Sequence, residues 1–450
     1  MQRLALLACA SLTCLATEAR AQALDTLSGI ASDLSFVEQQ VTKTLSSLGS
    51  PTSGYPVSGG QSGTWTTYSP SDNAEGWASG FFPGELWLLY QATGSTYWLN
   101  EAQTWTTPLA SQASNTSRVD PTDIGFIIGT SFGNGYRLTG DPSYQSVLLT
   151  AGSSLSTLYN PTVGAVRSWT FPPYQPPNNF AVIIDSMMTL GPLQWGASQP
   201  GGSASWATIA STHATTVTNN LVRSNGSTFE VANFNPTTGA LMSRGTFAGY
   251  SDSSTWARGE AWALYGFVQA YQATDNPAFL STAEEIANYF VNNLPTTGPS
   301  AYIPPWDFNA PGTQPVDTSA AAIAADGLVM LSTVAGSMSA SYLTDAENIL
   351  GALGSYFDTA PNGEAVLLDG YTGTTSGEST SLIYGDYYFT EALLRLQDVL
   401  DGQPGWVLYS PAAAPVVPET STWAMMLLGF AGLGLAGYRA SRKAVSVARG

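Results

Sequence analysis

Hydrophobic segments recur in pairs along the chain. In each pair an apolar, aromatic-rich stretch ends at a Thr-Gly or Thr-Asp turn, and a more amphipathic, alanine-rich stretch follows. Residues 383–400 form one further apolar stretch with helical periodicity. The pairs, three clear and two weaker, lie at 81–98, 134–144, 262–279, 188–217 and 320–350. A repeat of roughly 45–70 residues predicts a helical hairpin as the repeating unit.

Such hairpins bury a continuous core only by stacking side by side, as solenoids and closed rings do. Six hairpins or near-hairpins fit a closed ring, so we predict an all-α (α/α)6 barrel over residues 22–405. The loops that open the inner helices are long and rich in Trp, Tyr, Pro and Asp, which favours a site at that mouth. Residues 228–234 and 364–368 are expected to add minor β structure at the rim.

The N-terminal segment is typical of a secretory signal. Residues 1–21 combine Arg3, an apolar run and the small-x-small sequence Ala19-Arg-Ala21. Both cysteines, Cys9 and Cys14, lie inside this segment. The mature protein is therefore expected to contain no disulfide and no sulfur ligand for a metal.

The C-terminal segment is typical of a sorting tail. A Pro/Ala linker is predicted at 406–418, and an apolar stretch followed by basic residues lies within 419–450. Residues 417–426 resemble the PEP-CTERM motif that exosortases process, with Thr420 in place of the usual second proline. The alternative is an amphipathic helix docked on the body. We expect export to the periplasm or surface of a Gram-negative bacterium, membrane attachment through the tail, and exosortase-type machinery as a partner.

Charge and histidine content exclude several functions. Only 10% of residues are charged and the formal net charge is −18, so nucleic acid and anionic membrane surfaces would be repelled. His213 is the only histidine. It is expected to be a packed or solvated residue rather than a catalyst, which disfavours a Ser-His-Asp mechanism. We expect no metal site and no cofactor.

Two aspartates stand where apolar runs meet the predicted start of an inner helix. Asp185 follows five apolar residues, and Asp123 repeats the pattern one hairpin earlier. Aspartate at such a position commonly caps a helix. A second interpretation, compatible with the first, is a carboxyl whose pKa is raised by apolar surroundings, which can give and take a proton. If the inner helices converge on one mouth, the two carboxyls can share acid and base roles, as in enzymes that cleave glycosidic bonds.

Arginine is scarce in this chain, and Arg258 lies in the same kind of loop as several tryptophans. Arg258 stands between Trp256 and Trp262; it is a candidate for binding a sugar carboxylate, with a structural salt bridge as the alternative. Trp77 and Trp169 can stack on sugar faces or pack in the core.

A series of motifs spans nearly the whole body in a fixed order. They are Trp77-Ala-Ser-Gly-Phe-Phe-Pro-Gly84, Asp123-Ile-Gly-Phe126, Val182-Ile-Ile-Asp-Ser-Met-Met188, Asp252-Ser-Ser-Thr-Trp-Ala-Arg-Gly-Glu-Ala-Trp262 and Leu382-Ile-Tyr-Gly-Asp-Tyr-Tyr-Phe389. In this series the chain resembles glycoside hydrolase family 88, the unsaturated glucuronyl hydrolases.

The resemblance implies an (α/α)6 barrel that removes the terminal 4,5-unsaturated uronic acid left on oligosaccharides by polysaccharide lyases. The implied reaction is hydration of an enol ether rather than displacement at the anomeric carbon. Asp185 matches the general acid/base that protonates C4 while water adds at C5, and Asp123 matches its carboxylate partner. Residues matching positions that line the sugar subsite are Trp77, Trp169, Trp256, Arg258 and Tyr384.

Three departures from the family pattern affect the polar contacts to substrate. Glu230 stands where the family often has a histidine, Phe247-Ala248 replaces His-Gln, and Thr122 replaces a histidine before Asp123. Glu230 is therefore retained as a substrate-binding candidate with altered chemistry. The carboxylates and Arg258 remain, so we expect activity to survive, while the substrate preference stays open.

Two other functions compete with an unsaturated uronyl hydrolase. An unsaturated rhamnogalacturonyl hydrolase of family 105 shares a similar Trp-Ala-Arg-Gly-Glu-Ala-Trp run. A surface glycan-binding protein without catalysis is favoured by the lost His and Gln, and disfavoured by the two intact aspartates.

Overall fold

The structure is a computed structural model, and it describes residues 27–59, 64–373 and 377–403. The predicted signal peptide (1–21), linker (406–418) and sorting tail (419–450) lie outside the described residues. Within the described ranges, no helix combines the length and apolar character that crossing a membrane requires.

The helices alternate between an inner and an outer layer. In chain order they are α1 (27–48), α2 (Phe81–Thr93), α3 (Thr96–Thr106), α4 (Asp123–Ile128), α5 (Asn134–Thr139), α6 (Pro142–Thr157), α7 (Gly191–Gly196), α8 (Ser205–Leu221), α9 (Ala257–Thr274), α10 (Pro277–Asn292), α11 (Thr318–Ser332), α12 (Ser339–Leu353) and α13 (Ile383–Leu400). A π-helical segment, Gly129–Gly133, joins α4 to α5, and a 3-10 helix, Ile184–Thr189, precedes α7.

Burial separates the two layers. Every residue of α11 is buried, whereas α10 buries one stripe, which includes Phe279, Ala283, Ile286 and Phe290. Neighbouring inner segments contact one another in chain order, and α13 contacts α2. This last contact closes the ring, which confirms the predicted (α/α)6 barrel.

The predicted hairpin turns are also confirmed. Gly94, Gly140 and Asp275 end α2, α5 and α9 in the left-handed conformation, with φ of 63°, 67° and 52°. The next residue along the chain then caps the outer helix; for example, the side chain of Asp141 accepts a hydrogen bond from the N–H of Ser143. The inner helices therefore begin at one end of the barrel and turn at the other.

The strands lie in the connecting loops. They are β1 (Tyr55–Gly59), β2 (Trp65–Tyr68), β3 (Tyr159–Asn160), β4 (Ala165–Val166), β5 (Phe180–Ile183), β6 (Val231–Phe234), β7 (Leu241–Gly245), β8 (Gly370–Tyr371) and β9 (Ser379–Leu382). They form antiparallel sheets in the orders β2-β1-β9-β8, β3-β4 and β5-β6-β7.

Of the two predicted strand segments, 228–234 is confirmed in part by β6, and 364–368 is wrong. Val366 and Leu367 donate their backbone N–H groups to the carboxylate of Asp386, at 2.8 and 2.9 Å. Because these donors are used by a side chain, the segment forms only an isolated bridge between Leu367 and Phe357.

Candidate active site

Candidate residues lie together at one end of the sheet β5-β6-β7. Ile183 pairs with Val231, and Val231 pairs with Gly245. Asp185 lies two residues after the last residue of β5, Glu230 directly precedes β6, and Thr246 directly follows β7. The pairing therefore brings segments far apart in sequence together at the start of the third inner segment.

The 3-10 helix that carries Asp185 packs against α4, which carries Asp123. Their contact is close at Gly125, where a Cβ atom would lie 2.4 Å from the Cβ of Thr189. Only glycine fits at this position without moving one of the two segments. The first turn of α4, which carries Asp123, is thus packed tightly against the end of the 3-10 helix that carries Asp185.

Neither aspartate caps its helix, so that interpretation is wrong. Asp123 is the first residue of α4 and Asp185 lies in the first turn of its 3-10 helix, but neither helix has a side-chain cap bond. Asp123 instead forms a salt bridge with Arg118, in which Nε lies 3.3 Å from Oδ2. Asp185 is partly exposed, and among the described residues its buried Oδ1 atom has no hydrogen-bond partner.

Burial raises the pKa of both carboxyls, but only Asp123 has a directly bonded cation. Burial raises the pKa of Asp185 well above its ordinary value, Glu230 and Asp120 raise it further, and Arg258 opposes them. Burial also raises the pKa of Asp123, where Asp120 and Asp185 add to the effect and the directly bonded Arg118 opposes it. Because Arg118 stabilises the charged form by contact, the geometry favours an ionised Asp123 beside a protonated Asp185.

His213 supports the segment that carries Asp185. The ring is buried, and burial lowers its pKa to about 3, so it is neutral. Nδ1 accepts the N–H of Val166 at 3.0 Å, which leaves Nε2 as the donor to Ser186 Oγ at 2.8 Å. Ser186 Oγ donates in turn to the carbonyl of Ile183. The expectation of a packed histidine is confirmed, but its bond to Ser186, the residue after Asp185, was not foreseen.

Three predicted sugar-binding side chains meet around Arg258. Its guanidinium lies 4.8 Å from the ring centroid of Trp256 and 5.2 Å from that of Tyr384. The ring of Tyr384 in turn lies 5.0 Å from that of Trp77. Trp256 and Tyr384 are buried and Trp77 is partly exposed. Together they form an aromatic pocket with one cation.

Arg258 also takes part in a structural salt bridge. Its Nη1 atom lies 2.7 Å from Oδ2 of Asp317 and donates to the carbonyl of Tyr371 at 2.6 Å. Within the described residues these bonds use Nη1, which leaves the other guanidinium nitrogens for an anion. The salt bridge fixes the orientation of the guanidinium group. Arg258 can therefore form a structural salt bridge and also bind a sugar carboxylate, so the two interpretations from the sequence are compatible.

Trp169 and Glu230 lie at the edge of this arrangement. The indole of Trp169 donates a hydrogen bond to Asp120, whose carboxylate accepts the N–H of Thr122 at 2.9 Å. Glu230 is buried, and its Oε2 accepts the N–H groups of Phe247 and Ala248 at 2.7 and 2.8 Å. Glu230 and Phe247-Ala248, two of the three departures, are therefore joined by hydrogen bonds.

Sequence reasoning missed Arg118, Asp120 and Asp317. Arg118 and Asp120 lie in a polar loop without periodicity, where only the scarcity of arginine in the body could have drawn attention to them. Asp317 opens α11 as a true N-cap, accepting bonds from Ser319 and Ala320, and this local role conceals its contact with Arg258.

A closed double ring of helices with a carboxylate pair and an aromatic pocket at its mouth defines an (α/α)6 carbohydrate-active hydrolase. The model of Glycosyl Hydrolase Family 88 matches residues 60–402. The unsaturated glucuronyl hydrolase of Formosa agariphila is 36% identical over 335 residues, 72% of this chain and 80% of that protein. The enzyme of the same name from Bacillus sp. is 30% identical over 355 residues, 74% of this chain and 89% of that one.

A solved structure has the same fold. The unsaturated glucuronyl hydrolase specific for heparin superposes with a TM-score of 0.75 at 32% identity, covering 85% of this chain and 99% of that chain. The chain belongs to Glycosyl Hydrolase Family 88 and is a hydrolase.

Proposed function

We propose that the protein removes the terminal 4,5-unsaturated uronic acid from oligosaccharides produced by polysaccharide lyases. The observation that carries this proposal is the pair of unlike carboxyls, Asp123 bonded to Arg118 and Asp185 without a partner for Oδ1 among the described residues. Their setting next to an aromatic pocket with Arg258 suits a sugar that bears a carboxylate. Two relatives named as unsaturated glucuronyl hydrolases support the same substrate class.

The reaction follows from the two protonation states. Asp185, protonated, delivers its proton to C4 of the double bond, water adds at C5, and the carboxylate left on Asp185 takes the proton that the water loses. Asp123 stabilises the positive charge that develops on the ring during protonation. The resulting hemiketal opens and releases the neighbouring sugar. Arg258 holds the uronate, with Trp77, Trp256 and Tyr384 around the ring.

The competing functions are less well supported. A rhamnogalacturonyl hydrolase would use the same barrel, but the relatives from Formosa agariphila and Bacillus sp. are named unsaturated glucuronyl hydrolases. A binding protein without catalysis does not need the close packing of the two carboxyl-bearing segments at Gly125. Replacement of the family's polar residues by Glu230, Phe247 and Ala248 is consistent with a change in specificity.

The proposal is tested with lyase digests of several uronate polysaccharides. Purified protein is added to each digest, and the ultraviolet absorbance of the double bond is followed. Absorbance should decay in at least one digest as a saturated sugar is released. Measurable binding without decay in any digest would contradict an enzyme of either family.

We also propose that the protein is exported and held at the cell surface or in the periplasm. Residues 1–21 and the PEP-CTERM-like segment at 419–450 support this, with exosortase-type machinery as partner and the tail as membrane anchor. The test is the mass of the mature chain and its distribution among cell fractions. A cytoplasmic chain that retains residues 1–21 would contradict export.

A further inference from the structure

Four aromatic side chains form a surface at the edge of the active site, here called the rim wall: Trp169, Phe171, Tyr174 and Phe247. The ring of Trp169 lies 5.2 Å from that of Phe171, 5.4 Å from that of Tyr174 and 5.6 Å from that of Phe247. Phe247 is 59% exposed, and Phe171 and Tyr174 are partly exposed. A cluster of large rings with one exposed member is a candidate surface for binding a ligand.

The rim wall is continuous with the catalytic residues. Trp169 bonds to Asp120, which raises the pKa of both Asp123 and Asp185 and so lies close to them. Trp169 also packs with Ile183 of β5, two residues before Asp185. The rim wall therefore borders the catalytic residues.

The arginines near the rim wall are engaged elsewhere in the part of the chain that the structure describes. Arg118 pairs with Asp123, and Arg258 pairs with Asp317 and, in the proposed function, binds the uronate. Arg167 lies over the ring of Phe180 at 4.3 Å, and the exposed Arg244 donates to the carbonyl of Asn220 at 2.5 Å and lies over the ring of Phe229 at 5.4 Å. Phe180 belongs to the main core, whereas Trp169 packs with Ala181 and Ile183 in a separate cluster. Arg167 thus lies across β5 from the rim wall.

Negative charge, in contrast, lies directly behind it. Glu230 accepts the N–H of Phe247, and Asp252 accepts the N–H of Thr246 at 3.2 Å. Both carboxylates raise the pKa of Tyr174, after burial, and so act on this surface. The segment that carries Phe247 is therefore held between two acidic side chains.

We propose that the rim wall binds the sugar that is released, and that it selects an uncharged sugar over a sulfated one. This inference rests on the proposed function, because it concerns the other half of the same substrate. The C–H faces of a neutral sugar can stack on exposed rings. A sulfate group would be placed near Glu230 and Asp252, while the arginines nearby are engaged elsewhere, and like-charge juxtaposition disfavours a wrong partner.

The test uses two substrates that differ by one group: the unsaturated chondroitin disaccharide without sulfate and the same disaccharide with a 6-sulfate on the released sugar. For the unmodified protein, kcat/KM should be about tenfold or more higher for the unsulfated form. The affinities that calorimetry measures for the Asp185→Asn variant should rank the two disaccharides in the same way, with the unsulfated form bound more tightly. Equal or reversed preference in both measurements overturns the inference.

Two variants test whether the selection of the unsulfated sugar depends on Phe247. Phe247→Ala should raise KM for the unsulfated disaccharide with little change in kcat, because the ring binds substrate without touching the reacting atoms. Phe247→Lys should reduce the preference against sulfate by supplying a cation. Tyr97→Ala is the matched control: this ring is 49% exposed on α3, after the turn at the opposite end of the barrel. Unchanged KM and preference in both Phe247 variants overturn the inference.

Failure of the proposed function gives a different result. If neither disaccharide nor any lyase digest is turned over, the hydrolase assignment fails, while calorimetry still measures the preference. If both disaccharides are turned over at similar rates and bind equally, the hydrolase assignment stands and the selection of a neutral sugar is wrong.

Discussion

The Nε atom of Arg118 lies 3.3 Å from Oδ2 of Asp123. This buried ion pair distinguishes two aspartates that occupy similar positions at the starts of neighbouring inner segments. Asp123 has a bonded cation, whereas Oδ1 of Asp185 has no partner among the described residues. In the proposed mechanism, this difference gives Asp185 the role of the acid and Asp123 that of the stabilising carboxylate.

Glu230→Gln should move the alkaline limb of the kcat profile to lower pH. The groups that act on Asp185 are Glu230, Asp120, Asp123, Tyr384 and Arg258. Burial and the Glu230 charge raise the pKa of Asp185, so removal of that charge lowers it. The protonated acid is then lost at lower pH.

The pH profile of Glu230→Gln is measured beside that of Glu101→Gln on the outer helix α3. A limb that stays in place in the first variant, or moves equally in both, would show that Glu230 does not act on the acid.

Gly125→Ala should reduce kcat by about 10- to 100-fold, because a misplacement of reacting groups by a fraction of an ångström to one ångström is costly. The added Cβ would meet the backbone of Thr189 at 2.5 Å and push the two aspartate-bearing turns apart. The matched control is Gly351→Ala, where a Cβ meets nothing within 4 Å. The control should keep full activity and gain about 0.5–1 kcal/mol of stability. Equal activity in the two variants would contradict this account.

His213→Gln should change how stability depends on pH. In the unfolded chain a histidine binds a proton below about pH 6.5, whereas burial lowers the pKa of His213 to about 3. The native protein therefore loses stability from this group as pH falls from 6.5 towards 3, by about 2 kcal/mol at pH 5.

The glutamine variant lacks this loss, so its stability deficit at pH 7 should shrink at pH 5. Urea unfolding of both proteins at the two pH values measures it. A deficit that is the same at both values would mean that His213 is not a buried neutral base.

Arg258→Lys should raise KM about tenfold or more, because lysine cannot form the two-pronged contact with a carboxylate. A substrate whose uronate is converted to its methyl ester separates recognition from structure. Esterification should weaken binding to the unmodified protein much more than to the variant. An equal loss in both proteins would leave Arg258 with only its salt bridge to Asp317.

Local patterns in the sequence were sufficient for the barrel and for the positions of Asp123 and Asp185. Both follow from apolar runs, left-handed turns such as Gly94, and helix starts, which depend on neighbouring residues. The surroundings of the acid could not be predicted in the same way. Glu230 reaches Asp185 through the pairing of β5 with β6, and single-sequence periodicity does not specify which strands pair.

The hydrogen-bond and salt-bridge partners of side chains could not be predicted from the sequence either. The helical pattern around His213 does not indicate that its ring bonds to Ser186. This contact depends on how the outer helix α8 packs against the segment that carries Ser186, and neighbouring residues in the sequence do not specify that packing. The match of Arg258 to a sugar-binding position could be read from the sequence. Its contact with Asp317 could not, because that contact depends on the packing of α9 against α11.

The most direct test of the central claim is the reaction in D2O, followed by nuclear magnetic resonance with a lyase-generated oligosaccharide that the protein turns over. Hydration assigned to Asp185 predicts that the double bond disappears in step with release of the neighbouring sugar and that one deuterium appears at C4. Asp185→Asn, correctly folded, should slow both by about 10²- to 10⁴-fold. Release of the neighbouring sugar with the double bond intact, or full activity in Asp185→Asn, would contradict the mechanism.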